Sequence, residues 1–154
     1  MTALLKAKHE RQNMRKSTED LLEELQNENC KIDEYLKGNG ESFVYDKIKD
    51  FWETAIEKSG YSKSNIINKS DFSYCYFYDV INGRKIPGRD KIIRLILTMH
   101  LSVDECQEAL RISGRSALYP RIRRDAIILF AISNGYSIYQ LSELLADAGE
   151  EPLK

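Results

Sequence analysis

Aromatic and basic side chains are concentrated in residues 72–87, which read FSYCYFYDVINGRKIP. A tyrosine hydroxyl can donate a hydrogen bond to a phosphate or to an acceptor on a nucleic-acid base, and its ring can pack on a thymine methyl group. Lysine and arginine supply positive charge to anionic ligands. An exposed aromatic patch is also typical of a protein-binding surface. The stretch therefore predicts a contact surface for DNA or for a protein partner.

The charge balance of the chain requires any nucleic-acid surface to be local. The 154 residues contain 23 Lys and Arg against 24 Asp and Glu, a formal net charge of −1. This excludes the strongly basic coat of a polybasic protein. Residues 51–100 are the one third of the chain with a net positive charge, with eight bases against five acids. Five of those bases lie between Arg84 and Arg94, so the basic segment overlaps the aromatic stretch.

The residue types that carry catalysis or bind metals do not occur in usable arrangements. Cys30, Cys75 and Cys106 are odd in number and widely spaced, which is typical of free thiols rather than of a disulfide framework or a metal site. His9 and His100 lack the neighbours that a metal site or a catalytic triad needs. The sequence contains no phosphate-binding glycine loop, nucleophile elbow or zinc signature. We therefore expect no catalytic residues, no metal and no cofactor, and we do not expect an enzyme.

Targeting and membrane signals are also missing from the sequence. No apolar run approaches the roughly 18 residues that a membrane-spanning helix needs. The first ten residues, MTALLKAKHE, lack a long apolar region before a small-residue cleavage site. These features predict a cytoplasmic protein that does not associate with membranes.

The elements that must position the aromatic stretch are predicted to be helices almost throughout. Apolar residues recur at intervals of three and four, and no segment alternates as a strand would. Residues 1–16 predict a mobile arm or a helix that forms with a partner. Ser17 and Asp20 begin the next helix, KGNG at residues 37–40 interrupts the chain, and a longer helix is predicted over residues 42–59.

A recurring tripeptide predicts three helix boundaries, at residues 60–62, 100–102 and 135–137. Gly60 and Gly135 suit the left-handed conformation that closes a helix, and His100 occupies the equivalent position. The serine at the third position of each tripeptide can cap the following helix. Ser102 with Glu105 and Ser137 with Gln140 complete capping boxes.

The last two boundaries belong to an internal repeat. Residues 90–119 align with residues 125–154 without a gap, and eight of the thirty pairs are identical. The identical pairs are Asp90/Asp125, Ile92/Ile127, Ile93/Ile128, Ser102/Ser137, Glu108/Glu143, Leu110/Leu145, Gly114/Gly149 and Leu118/Leu153. The alignment predicts a duplicated helical hairpin. Chance similarity between two amphipathic hairpins is the alternative explanation.

Residues 61–101 resemble the lambda-repressor-like helix-turn-helix proteins, the phage repressor/Cro family. The shared pattern is a Ser-capped helix, a tight turn at residues 70–72, a second helix from Ser73 to Asn82-Gly83, and a basic loop leading to Ile86-Pro87. The whole chain is also similar to bacterial regulators of this kind that carry a downstream LYPR.RRDAI hairpin, matched here by residues 118–127. The family usually has Gly where Asp71 stands, although Asp tolerates the left-handed conformation.

The resemblance implies a fold and a set of DNA-contacting residues. The fold is all-α, with N-terminal helices over residues 1–40, a helix-turn-helix core over residues 41–101, and a duplicated hairpin over residues 102–154 that packs on the core. Phe77 and Val80 are expected inside the core. The residues expected to contact DNA are Lys63, Ser73, Tyr74, Cys75, Tyr78, Arg84, Lys85, Arg89 and Lys91. The outward positions of the second helix lack the Arg, Asn or Gln side chains that most often pair with base edges.

The resemblance also implies a function. We expect a transcriptional regulator that docks its second helix in the major groove of double-stranded DNA. The alternative is a protein-interaction adaptor that keeps the fold without reading DNA. A homodimer is expected, with residues 17–36 favoured over the C-terminal repeat as its interface, and either region could instead bind a protein partner. The competing explanation is that residues 17–36 pack on the body of the same monomer. The arginines at positions 121, 123 and 124 are expected either to contact DNA or to balance neighbouring carboxylates.

Overall fold

The computed structural model describes residues 16–43 and 47–154. Within these ranges every regular element is a helix and no strand occurs, so the all-α prediction is confirmed. The contacts divide the chain into two compact units, Met1–Phe43 and Val44–Lys154. The prediction for residues 1–15 lies outside the described residues. None of the described helices combines the length and apolar character that crossing a membrane requires.

The first unit contains helices α1 (Thr18–Gln26) and α2 (Ile32–Gly38), followed by a short 3₁₀ helix (Gly40–Ser42). Ser17 caps α1 and forms the predicted capping box with Asp20. Tyr35 and Asn39 are buried. Among residues 16–43, the large apolar side chains that remain exposed are Leu22, Leu25, Ile32 and Leu36.

Residues 47–154 of the second unit form seven helices around one apolar core. They are α3 (Ile48–Ser59), α4 (Lys63–Ser70), α5 (Tyr74–Ile81), α6 (Arg89–Thr98), α7 (Val103–Ile112), α8 (Arg123–Ser133) and α9 (Ile138–Asp147). Helix α3 packs on α5 and α7, and α4 packs on α6. Each of the last four helices contacts its neighbour in sequence, and α9 also contacts α6. The core therefore joins α3–α5 to the two hairpins, α6–α7 and α8–α9.

The helix predicted over residues 42–59 begins later than the sequence indicated. Ser42 lies in the 3₁₀ helix, Phe43 has an extended backbone, and α3 begins at Ile48. The Phe43 ring contacts Tyr35 edge-on, with 6.3 Å between ring centroids. Phe43 therefore packs within the first unit and does not belong to α3, which contains the apolar residues Phe51 and Trp52.

The three predicted helix boundaries are confirmed. Gly60, His100 and Gly135 all have positive φ, at 72°, 51° and 65°. The serine that follows each of them caps the next helix. The capping boxes of Ser102 with Glu105 and of Ser137 with Gln140 are both formed. Local capping chemistry therefore sets where α4, α7 and α9 begin.

The hairpins α6–α7 and α8–α9 have the same layout 35 residues apart. Helix α6 ends at Thr98 and α8 ends at Ser133, while α7 spans Val103–Ile112 and α9 spans Ile138–Asp147. The glycine after each second helix, Gly114 or Gly149, has φ near 70°. The two hairpins also contact each other through α7 with α8 and through α6 with α9.

Candidate functional site

Helices α4 and α5 are joined by a turn of three residues whose conformation is set by local chemistry. Asp71 ends α4 with φ 61° and ψ 35°, the left-handed conformation that Asp tolerates better than most side chains. Ser73 then caps α5, because its hydroxyl accepts a hydrogen bond from the Tyr76 N–H at 3.3 Å. The predicted turn and the predicted helix start are confirmed.

One side of α5 holds it on the core, and the other carries polar and aromatic groups. Phe77 and Val80 are fully buried, as predicted. Ser73, Tyr74 and Cys75 are exposed, and Tyr78 is half-buried. We call these four residues the tyrosine face. Tyr78 contacts the buried Phe77 ring at 5.6 Å, which explains why it is less exposed than Tyr74.

The two tyrosines of this face act as a pair. Their ring centroids are 4.6 Å apart, and Tyr74 is 66% exposed. A hydrogen bond with the Tyr78 side chain raises the pKa of Tyr74 above its usual range. The Tyr74 hydroxyl therefore remains protonated at neutral pH, where it can donate a hydrogen bond without adding negative charge.

Lysine ammonium groups lie over the aromatic rings of this region. Lys63 lies 5.6 Å from the Tyr78 centroid, on the tyrosine face. Lys85 and Lys91 lie 5.8 Å and 5.7 Å from the Tyr76 centroid. Cation–π contacts of this length favour a charge above the ring while leaving the ammonium able to bind an anion. The aromatic residues therefore position the bases as well as forming a surface.

Tyr76 is a member of this arrangement that the sequence analysis missed. It is half-buried, it contacts the buried Phe72 ring at 5.4 Å, and it lies beneath both Lys85 and Lys91. Those lysines follow it by nine and fifteen residues, outside any helical spacing that would associate them with Tyr76. The fold of the loop after α5 and the position of α6 bring the three side chains together.

The basic loop, residues 82–88, is tied to the end of α5. The Asp79 carbonyl accepts hydrogen bonds from the N–H groups of Arg84 and Lys85, at 2.8 Å and 3.1 Å. The Asp79 carboxylate lies 3.8 Å from Arg84 Nη1 and 3.4 Å from Lys85 Nζ. The two basic side chains are 71% and 60% exposed. Such exposed ion pairs contribute about 0–1 kcal/mol, so an external anion can compete with Asp79 for both bases.

Arg89 has a different environment from the other predicted site residues. Its guanidinium donates two hydrogen bonds to the Asp125 carboxylate, at 2.8 Å and 2.7 Å, and two more to the carbonyls of Ser116 and Ala117. Four of its five N–H groups are thus used inside the protein. A phosphate would have to compete with a buried carboxylate for the Arg89 guanidinium, so Arg89 is less suited to contact DNA than the exposed bases.

Asp125 is 1% exposed, and Arg89 is its charged partner. Burial by itself raises the pKa of Asp125, but hydrogen bonds from Arg89 and from the Tyr119 N–H outweigh it and hold the pKa below its usual range. The hydrogen bond with Asp125 in turn raises the pKa of Arg89. Of the later arginines, Arg123 lies 3.6 Å from Glu150 and Arg124 lies 3.0 Å from Asp90, which favours the carboxylate-balancing explanation for them.

Comparisons of the chain with protein-family models, with curated proteins and with solved structures find no match. The function therefore has to be inferred from the chain's own residues and their geometry.

Proposed function

We propose that this chain is a sequence-specific, double-stranded-DNA-binding transcriptional regulator. In this proposal α4 and α5 form a helix-turn-helix, and α5 is the recognition helix that docks in the major groove. One observation carries the proposal. Helix α5 is held on the core by Phe77 and Val80, while most of its tyrosine face is exposed, Lys63 lies over the Tyr78 ring and the basic loop is tied to the end of the helix.

The proposed phosphate contacts come from Lys63, Arg84, Lys85 and Lys91. Their charge supplies most of the affinity, because each phosphate contact releases counterions from the duplex. The cation–π contacts of the three lysines support this role by restricting where their ammonium groups lie. Binding is therefore expected to weaken steeply as salt concentration rises.

The proposed base contacts come from the tyrosine face. Tyr74 and Tyr78 can pack on thymine methyl groups or donate to base acceptors, and Ser73 can do the latter. Without a bidentate Arg, Asn or Gln on this face, discrimination between sequences depends on apolar contact and on groove shape. We therefore expect a modest preference for particular sequences on top of a strong general affinity.

A protein-interaction adaptor is the second candidate, and the Tyr74–Tyr78 pair is the observation that favours it. Two aromatic rings in contact, tilted by 47° and one of them 66% exposed, are typical of the anchor in a protein interface. A regulator must bind DNA with a strong dependence on salt. An adaptor would bind a protein through Tyr74 and would bind DNA weakly or not at all.

The experiment is a mobility-shift titration of labelled fragments of the protein's own promoter region at several salt concentrations. The double variant Arg84→Ala/Lys85→Ala should weaken binding about equally on promoter and random DNA. It should also reduce the slope of the log binding constant against the log salt concentration by about two, roughly one for each lost phosphate contact.

The matched control is Lys49→Ala/Arg111→Ala, which removes the same charge from exposed positions on α3 and α7. It should leave both the affinity and the salt slope unchanged. Equal effects of the two double variants would mean that only net charge matters and would contradict the assigned site. A wild-type protein that binds neither DNA would reject the regulator in favour of the adaptor.

A further inference from the structure

The hairpin α8–α9 contains a long uncharged segment. Residues 126–142, AIILFAISNGYSIYQLS, include no Asp, Glu, Lys or Arg, although 31% of the chain is charged. The segment covers most of α8, the turn after it and the start of α9. Depletion of charge together with exposed aromatic residues is typical of the core of a protein–protein interface.

An open groove lies between these two helices. Its apolar lining consists of Ala126, Ile127 and Phe130 on α8, with Leu144 and Ala148 on and just after α9. Phe130 is 53% exposed, and its ring contacts Tyr136 edge-on at 5.7 Å. Among the described residues that line the groove, Asp147 is the one with an ionisable side chain.

The other hairpin shows what covers the equivalent surface. A shift of 35 residues relates Ile127, Phe130 and Leu144 to Ile92, Leu95 and Ala109, all of which are fully buried. Helices α4 and α3 of the same chain pack on that hairpin, against α6 and α7. Within residues 47–154, α3 and α4 have no comparable contact with α8 or α9, and the lining of the Phe130 groove remains accessible.

We propose that a second copy of this chain covers the groove, with the two Phe130 grooves packed face to face around a twofold axis. The second copy cannot cover the groove with its own α3 and α4. These helices are already packed in its core, where Trp52 and Ile66 are fully buried. Within residues 47–154, the large exposed apolar side chains outside the tyrosine face and the basic loop all lie between Tyr119 and Tyr139. A self-complementary contact pairs the part of this surface that lines the groove, centred on Phe130, with its own counterpart.

The charges around the groove favour this occupant. Arg123 and Asp147 lie at one end, where Arg123 also donates a hydrogen bond to the Ala148 carbonyl at 3.2 Å. The opposite end, residues 133–140, carries no charge. An antiparallel twofold arrangement therefore places Arg123 and Asp147 of each copy against the uncharged end of the other, so these two residues do not meet their own counterparts. The dimer itself does not depend on DNA binding, but its use in pairing two half-sites rests on the proposed function.

The experiment measures the mass of the full chain, without DNA, by light scattering and sedimentation over a range of concentrations. The wild-type protein should be a dimer in reversible equilibrium with monomer. Phe130→Glu should raise the dimer dissociation constant by at least about 30-fold, the effect expected for a central interface anchor. Ala126→Glu should act in the same direction from another position in the groove.

Tyr119→Glu is the matched control, because Tyr119 is an aromatic residue with 52% exposure that does not line the groove. It should leave the dimer intact, and circular dichroism should show the same helix content in all variants. A monomeric wild-type protein would overturn the proposal, as would a dimer unaffected by either groove variant. A dimer lost only in Leu22→Glu/Leu25→Glu would instead assign the interface to α1. If the wild-type protein forms the Phe130 dimer but does not bind DNA, the proposed regulator function is rejected and the dimer proposal stands.

Discussion

The two hairpins of the second unit make equivalent hydrogen bonds but differ in their outer surfaces. Arg89 binds the Asp125 carboxylate and the carbonyls of Ser116 and Ala117. Thirty-five residues later, Arg124 binds the Asp90 carboxylate and the carbonyls of Glu151 and Pro152. Each arginine thus binds the aspartate of the other hairpin. Every residue that Arg89 binds corresponds to a residue that Arg124 binds, 35 positions away in the sequence.

This reciprocity relates the hairpins by an internal pseudo-twofold axis. The Tyr119 N–H donates to Asp125 and the Lys154 N–H donates to Asp90, which adds another equivalent pair of bonds. Chance similarity between amphipathic helices accounts for matched apolar positions, but it does not reproduce bonds from a side chain to particular backbone carbonyls. The comparison therefore favours duplication, with the internal bonds retained and the outer surfaces diverged.

The largest effect expected from this comparison is the loss of Arg89. Arg89→Ala leaves Asp125 buried without its charged partner and should lower the free energy of unfolding by about 3–5 kcal/mol. Arg124→Ala should cost less, because the side chains of Arg124 and Asp90 are both 18% exposed and water can replace the lost contact. Urea denaturation followed by circular dichroism measures both values. Equal losses would show that the difference in burial between the pairs has no energetic consequence.

A smaller effect on the free energy of unfolding is expected at low pH. Because the pKa of folded Asp125 lies below its unfolded value near 3.9, the carboxylate contributes its full stabilisation above about pH 5. That stabilisation is lost as the pH falls through the folded pKa, where the folded state must also take up the proton. Asp125→Asn should be less stable at pH 7 and should lose less stability than wild type between pH 7 and pH 3. Parallel pH profiles of the two proteins would contradict this assignment.

Much of this architecture could be predicted from local sequence, because capping is local chemistry. The residues that end α3, α6 and α8 and begin α4, α7 and α9 can be identified from the Gly or His and the Ser of each boundary, and for α7 and α9 also from the capping partner three residues later. The 35-residue repeat was also visible, but the alignment began at Asp90 and so stopped one residue short of the Arg89/Arg124 identity. The pair that joins the hairpins was therefore not recognised as part of the repeat.

The environment of the candidate site was harder to predict, because it depends on distant contacts. Arg89 falls in a basic segment, and its partner Asp125 lies 36 residues away. Nothing in the spacing distinguishes it from Arg84, which has no buried carboxylate beside it. Tyr76 was missed for the same reason, since its lysine neighbours come from the loop and from α6. Tertiary packing therefore decides which bases are held internally and which remain exposed.

The smallest expected effect concerns the one boundary at which the hairpins use different residues. His100 and Gly135 both have left-handed backbones, with φ 51° and 65°. Left-handed geometry strains a residue with a side chain, so His100→Gly should raise the free energy of unfolding by about 0.5–1 kcal/mol, even with its 6.1 Å contact to Tyr61 lost. Gly135→Ala should lower it by about 1 kcal/mol, because an added Cβ meets no atom within 4 Å and only the backbone is strained. Urea denaturation measures both changes. Destabilisation by His100→Gly would show that the Tyr61 contact outweighs the strain, and the two boundaries would then differ in packing as well as in residue type.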